Sequence, residues 1–151
     1  MSLSVRSTAE PADHVLDPLK ISKGKFAECA RSLQVHESVI RAVAQVESAG
    51  SGFIEQSKPK VLFERHAFHR LTGGRFDQYE NLSHPTWDKS QYSRTSAGEW
   101  ERLEAACRLD RAAALQSASW GMFQIMGFNY SYCGMFDVEA FVAAQCESAD
   151  R

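Results

Sequence analysis

The chain has 151 residues, 44% of them hydrophobic, and its 17 basic and 19 acidic residues give a formal net charge of −2. A domain of this length buries roughly two-thirds of its unfolded surface, so it can form a single core without disulfides or metal ions. The near-neutral charge supplies no basic field for nucleic acid, and no apolar run reaches the ~20 residues of a bilayer span, which argues against a nucleic-acid partner and against membrane insertion.

The chain begins with a polar segment that precedes two predicted helices. Residues 1–20 are rich in Ser and Pro without sustained periodicity, which predicts a flexible leader before a domain over residues 21–151. Apolar residues at helical spacing predict a first helix over residues 26–33. The second helix is predicted from an apolar stripe that consists of Val39, Ile40, Val43, Ala44 and Val46.

A short β element and a long loop are predicted next. Residues 58–64 are apolar in the middle and bounded by Pro59, which predicts a strand followed by a helix through Leu71 that ends at Thr72-Gly73-Gly74. Residues 76–95 show no clear period, and long loops of this kind in compact domains are often functional. The loop carries three aromatic residues, Tyr79, Trp87 and Tyr92.

The last third of the chain is predicted to be helical. Helical spacing returns between Trp100 and Cys107 and again after Asp110, which is a favourable N-cap residue. Two further short helices are predicted over residues 120–126 and 138–146. The sequence therefore predicts an α+β fold, predominantly α-helical, with a small β element in the first third.

Glu47 is a candidate catalytic residue because the helical period places its carboxylate on the apolar stripe of the second helix. It also lies at the helix C-terminus, where the negative end of the macrodipole disfavours a carboxylate. Both effects raise a carboxyl pKa, and a general acid for glycosidic cleavage must stay protonated near neutral pH. Periodicity alone also allows a structural role, in which Glu47 caps backbone groups or pairs with an arginine.

A second candidate region runs from Ser119 to Met126, where the polar Gln124 is set among large apolar residues. Its amide can both donate and accept hydrogen bonds, which suits the hydroxyl and N-acetyl groups of a sugar. Gly121 allows the close approach of a ligand or another backbone. Taken by itself, the run also fits an apolar core helix with one hydrogen-bonded amide.

Three blocks of sequence carry a family resemblance. They are V-E-S-A-G-S-G-F at 46–53, P-K-V-L-F-E-R-H at 59–66 and A-S-W-G-M-F-Q-I-M-G-F-N at 118–129. The first and third together resemble the E-S-x-G … S-x-G-x-x-Q-I-M signature of goose-type lysozymes and lytic transglycosylases. All three, in this order, resemble the phage endolysin N-acetylmuramidase family, and the resemblance extends from Phe26 to Arg151.

The resemblance implies a lysozyme-like fold and hydrolysis of the β-1,4 bond between N-acetylmuramic acid and N-acetylglucosamine in bacterial peptidoglycan. Glu47 would be the acid that protonates the leaving oxygen, and no metal ion or other cofactor is implied. A set of substrate-binding residues is also implied, of which the aromatic members supply apolar or stacking surface for a pyranose ring: Ser119, Gly121, Gln124, Phe63 and Tyr130.

The identity of a second catalytic carboxylate stays open between three residues. A hydrolase that uses two carboxylates needs them about 5 to 9.5 Å apart across the scissile bond, and the candidates are Glu64, Glu55 and Asp77. Glu64 ranks first because it follows an apolar strand-like run, with a structural salt bridge to Arg65 or His66 as the alternative. In lytic transglycosylases one acid suffices and the muramic 6-hydroxyl attacks internally, so a missing partner would favour that reaction.

Two other classes of function are compatible with the sequence. His66 and His69, spaced i, i+3, would bind zinc together with Glu64 or Asp77 in a wall amidase, although the chain has no H-E-x-x-H motif. The other class is a catalytically inactive module that binds glycan or belongs to a phage particle.

The resemblance also sets expectations for the whole chain. Members of the family usually continue with a further apolar helix, so we expect the domain over residues 21–151 to lack that C-terminal helix. We expect a monomer that is made in the host cytoplasm without a signal peptide. It would act on the cell wall after the membrane has been permeabilised.

Overall fold

A computed structural model describes residues 22–48, 52–55 and 58–147, so the predicted leader over residues 1–20 lies outside the described residues. The described part has an α+β fold that is predominantly helical, as predicted, and none of its helices is long and apolar enough to cross a bilayer. The helices are α1 (Lys23–Leu33), α2 (Glu37–Ser48), α3 (Arg65–Thr72), α4 (Ser96–Cys107), α5 (Arg111–Gln116) and α6 (Val138–Glu147). The strands are β1 (Phe53–Glu55), β2 (Lys58–Pro59), β3 (Val61–Phe63), β4 (Ala118–Trp120) and β5 (Ile125–Met126).

Local sequence signals determine where several helices begin and end. The side chains of Ser22, Thr95 and Asp110 each accept a hydrogen bond from a backbone N–H in the first turn of α1, α4 and α5, respectively. Gly73 ends α3 with φ 63°, a left-handed conformation that glycine adopts without strain. These boundaries follow from residues that the sequence alone identifies.

The three-stranded antiparallel sheet has the order β3-β4-β5, and one of its two faces covers the core. Side chains alternate along a strand, and Val61, Phe63 and Trp120 are buried on the core side. Leu62 pairs with Ser119 in the register of β3 and β4. Alternation places Leu62, Ser119 and Met126 on the other side of the sheet, which we call the opposite face of the sheet.

The helix predicted over residues 120–126 is wrong, because this segment forms a β-hairpin from the end of β4 to β5. Gly121 and Gln124 have φ values of 69° and 49°, which a right-handed helix does not contain. A short apolar run does not distinguish a buried strand from a buried helix by its period. The β element predicted in the first third of the chain is therefore completed by strands from the last third.

The apolar stripe predicted for α2 is only partly buried. Ala44 is 5% exposed, and the Arg41 guanidinium lies 4.4 Å from the centroid of the Phe26 ring, so this side of α2 faces α1. Three valines of the stripe are not buried, since Val39, Val43 and Val46 are 48%, 49% and 79% exposed, respectively.

The core lies between the three-stranded sheet and the helices α3, α4, α5 and α6. The indole N–H of Trp120 donates to the Leu115 carbonyl at 3.1 Å, so the polar atom of the largest core side chain is paired. The edge of the Trp100 ring meets Trp120 with centroids 5.7 Å apart. The largest fully buried apolar side chains are Trp120, Phe63, Phe68, Phe141 and Leu103.

Candidate functional site

The three blocks singled out in the sequence meet at one end of β3. The backbone N–H of Lys60, in the second block, donates to the carbonyl of Gly52 in the first block at 2.7 Å. The carbonyl of Lys60 accepts a hydrogen bond from Gly121 in the third block at 2.9 Å. Gly52 also packs on Met122 so closely that a Cβ at position 52 would lie 2.7 Å from the Met122 nitrogen.

Hydrogen bonds fix Gln124 in the turn between β4 and β5. The Ser119 hydroxyl donates to its Oε1 at 2.9 Å, and its Nε2 donates to the carbonyls of Gly121 at 2.8 Å and Lys60 at 3.4 Å. An amide nitrogen has two N–H donors and its oxygen has two lone pairs. Both donors are therefore used by backbone carbonyls, and one acceptor position on Oε1 has no partner among the residues that the structure describes.

Ser119 and Gly121 each constrain the conformation of this turn. Ser119 is 5% exposed, so its hydroxyl acts through Gln124 rather than facing solvent. Gly121 has φ 69°, and a Cβ on it would lie 2.5 Å from Oε1 of Gln145 in α6. A larger residue at position 121 would strain the backbone and displace Gln145.

The two aromatic residues of the predicted site have different surroundings. Phe63 is 0% exposed and packs against Phe68 with ring centroids 5.7 Å apart, so the stacking role expected for Phe63 does not fit its placement. A ring without an exposed face has no surface for a sugar. Tyr130 is half-buried and packs at the margin of the core, next to the short 3₁₀ helix Gly127–Asn129.

Glu64 continues the pairing of β3 with β4, since its backbone N–H donates to the Ser117 carbonyl at 3.0 Å. Alternation along the strand places its side chain on the same side as Leu62, the opposite face of the sheet. The side chain is 15% exposed. Its carboxylate accepts from the Tyr92 hydroxyl, 2.9 Å from Oε1 and 2.7 Å from Oε2, and the Nδ1 of His66 lies 3.2 Å from Oε2.

Tyr92 links Glu64 to the long loop that the sequence singled out. The indole N–H of Trp87 donates to the Tyr92 hydroxyl oxygen at 2.7 Å. Burial and the neighbouring Glu64 carboxylate raise the pKa of Tyr92 to about 12. The hydroxyl therefore keeps its proton over the physiological range and remains a donor to Glu64.

A buried carboxylate beside this pair was missed by the sequence analysis. Glu99 in α4 is 3% exposed and accepts hydrogen bonds from the backbone N–H groups of Phe63, at 2.9 Å, and of Ser93. Arg102 neutralises it through Nη1, 2.9 Å from Oε1. The i, i+3 spacing of Glu99 and Arg102 was a visible signal, but that spacing more often marks an exposed helix face.

The residues of the zinc hypothesis form two separate pairs. His66 lies beside Glu64, whereas the Nδ1 of His69 lies 2.9 Å from Oδ1 of Asp77. Hydrogen bonds from His69 and Ser83 hold the pKa of Asp77 below its ordinary value. Within residues 22–48, 52–55 and 58–147, no three His, Cys, Asp or Glu side chains are grouped so that they could hold a metal ion.

Glu47 lies in the last turn of α2, which ends at Ser48, as the sequence predicted. The side chains of Glu47 and Glu55 lie outside the described residues. Gly52 follows Glu47 by five positions, and five steps of fully extended chain span at most about 18 Å. The end of α2 therefore lies within that distance of the Gly52 contacts with Lys60 and Met122.

Comparison with known proteins identifies the family. The N-acetylmuramidase family model matches residues 36–151. The chain belongs to the N-acetylmuramidase family. The crystal structure of a Burkholderia AP3 phage endolysin matches with a TM-score of 0.80 and 37% sequence identity over 89% of this chain and 51% of that chain. This chain thus spans about half the length of that endolysin, and no curated protein matches it.

These matches confirm the resemblance to phage endolysin muramidases and the lysozyme-like α+β fold. In this member of the N-acetylmuramidase family, one residue from each of the three sequence blocks, Gly52, Lys60 and Gly121, meets the others at one end of β3. A hydrogen-bonded carboxylate, Glu64, lies at the other end of the same strand. The opposite face of the sheet connects these two ends.

Proposed function

We propose that the chain is a peptidoglycan hydrolase, an endolysin-type N-acetylmuramidase that cleaves the β-1,4 bond between N-acetylmuramic acid and N-acetylglucosamine. One observation carries the proposal. Lys60 bonds through its own backbone to Gly52 on one side and Gly121 on the other, which joins the block containing Glu47 to the block containing Gln124. This contact supports a single site built from blocks of the sequence that lie some seventy positions apart.

In the proposed reaction Glu47 is the general acid that protonates the leaving glycosidic oxygen. Its position in the last turn of α2 supports this role, because the negative end of the helix dipole favours the protonated carboxyl. The remaining acceptor position on Gln124 suits the N–H of an N-acetyl group. Ser119 and Gly121 serve the substrate by holding that amide.

Glu64 is the proposed second carboxylate. It lies on the opposite face of the sheet, and Tyr92 and His66 surround its oxygens with hydrogen-bonding groups. These hydrogen bonds hold the carboxylate in place, where the partner of a general acid activates water or stabilises positive charge on the sugar. The separation of two such carboxylates decides the stereochemistry of the product.

The biological setting follows from the same proposal. The substrate is bacterial peptidoglycan, and the enzyme acts as a monomer during phage-driven lysis. It accumulates in the host cytoplasm and reaches the cell wall once the membrane is permeabilised.

The products released from purified peptidoglycan test the reaction class. We expect muropeptides with new reducing ends, formed without added metal and unchanged by a chelator, and mass spectrometry identifies them. Anhydro-muropeptides would instead assign a lytic transglycosylase. Peptide amines whose release stops with chelator would assign a zinc amidase, and wall binding without any product would assign a binding module.

A further inference from the structure

We propose that Tyr92 is a positioning residue for the Glu64 carboxylate, so that the long loop between α3 and α4 contributes to catalysis. This inference rests on the proposed function and deepens it. Tyr92 does not act on the sugar itself. It acts by holding Glu64 in one orientation on the opposite face of the sheet.

The direction of the hydrogen bonds supports this role. A phenol hydroxyl has one proton to donate, and its oxygen also accepts. The Trp87 indole N–H occupies the accepting position on Tyr92, so the single proton of Tyr92 is directed to Glu64. A hydrogen bond from a neutral donor to a carboxylate is charge-assisted and stronger than one between neutral groups.

The Glu64 side chain has little else to fix it. The residue occupies the N-cap position of α3, yet its side chain makes no capping hydrogen bond to that helix. The backbone is held by the pairing with Ser117, and this pairing does not fix the side-chain torsions. Within the described part of the chain, Tyr92 and His66 approach its oxygens, and Tyr92 makes the shorter contacts.

One buried carboxylate, that of Glu99, fixes the backbone next to Glu64 and the backbone next to Tyr92. Glu99 accepts from the N–H of Phe63, which precedes Glu64, and from the N–H of Ser93, which follows Tyr92. The same carboxylate therefore sets the spacing between the strand and the loop. A hydroxyl carried on a backbone anchored in this way can hold its partner in a single geometry.

Kinetics of Tyr92→Phe on soluble glycan strands test the proposal, because this change removes the hydroxyl and keeps the ring. We expect kcat to fall about 10- to 100-fold with KM unchanged. In the Glu64→Gln background the same change should cause no further fall, since the two residues act as a unit. The matched control is Tyr132→Phe at a side chain that is 88% exposed, and it should keep the wild-type kcat.

Equal kcat for Tyr92→Phe and wild type would overturn the proposal, and so would an undiminished effect of Tyr92→Phe in the Glu64→Gln background. A readout that needs no activity is the χ1 rotamer distribution of Glu64, measured from side-chain couplings by NMR. We expect one rotamer in the wild type and several in Tyr92→Phe, and an unchanged distribution would contradict positioning. If the wild type releases no sugar ends, the proposed function fails, and the rotamer result still decides whether Tyr92 orders Glu64.

Discussion

At the residue scale, Glu99 is the group on which the local geometry depends most. Its carboxylate is buried, accepts from two backbone N–H groups and is paired with Arg102, whose side chain is 12% exposed. Removal of one partner from a buried ion pair leaves the other charge without compensation, which typically costs about 3–5 kcal/mol. We expect Glu99→Gln to lower the free energy of unfolding in urea by about that amount.

Glu101→Gln provides the matched control for this substitution, because it makes the same chemical change at an exposed position of the same helix. A surface substitution of this kind changes stability by less than about 0.5 kcal/mol. If Glu99→Gln were as stable as Glu101→Gln, the buried network would not hold the strand and the loop together.

Asp77 should make the free energy of unfolding depend on pH in the acidic range. Hydrogen bonds from His69 and Ser83 lower its folded pKa below the ordinary value of 3.8, so the unfolded chain binds this proton more tightly. The stabilisation is fully present above the unfolded pKa and is lost as the pH falls through the lowered folded pKa. The free energy of unfolding in urea, measured between about pH 5 and pH 2, should therefore fall less steeply with decreasing pH for Asp77→Asn than for wild type. Parallel curves for the two proteins would disprove this contribution.

At the element scale, the hairpin of β4 and β5 meets α5 at Gly127. A Cβ there would lie 2.1 Å from the Leu115 carbonyl oxygen and 2.9 Å from the Gln116 Cα, both backbone atoms. Because the backbone has to shift, we expect Gly127→Ala to destabilise the protein by about 3 kcal/mol, measured as a fall in Tm. The control Gly24→Ala meets only the Ser22 hydroxyl at 4.0 Å and should be neutral or stabilising. A similar Tm for both variants would show that the hairpin and α5 are not in tight contact.

The ends of a helix were predictable from the sequence where a local capping residue determines them. Asp110 at the start of α5 and Gly73 at the end of α3 are local signals, and both lie where they were expected. The hairpin over residues 118–126 was not predictable, since its apolar run fits a buried strand and a buried helix equally well. The direction in which α2 buries its stripe depends on α1, a packing partner that periodicity does not identify.

At the scale of the whole molecule, the site is assembled from segments far apart in the chain. The sequence singled out Ser119, Gly121 and Gln124 through a family signature, and the structure places Gly121 and Gln124 in the turn that follows Ser119 and β4. No family signature pointed to Tyr92 or Glu99. Tyr92 contacts Glu64, 28 residues away along the chain, and Glu99 contacts Phe63, 36 residues away. Tertiary contacts of this length are visible only in the fold.

The proposed reaction depends most on Glu47, and one comparison tests the role of this residue directly. Wild type, Glu47→Gln and the exposed control Glu101→Gln are incubated with purified peptidoglycan, and new reducing sugar ends are counted. Glutamine keeps the size of the side chain but cannot supply the proton, so we expect wild type and control to release sugar ends and Glu47→Gln to release at least about a thousandfold fewer. Undiminished release by a folded Glu47→Gln variant would contradict the assignment of Glu47 as the general acid.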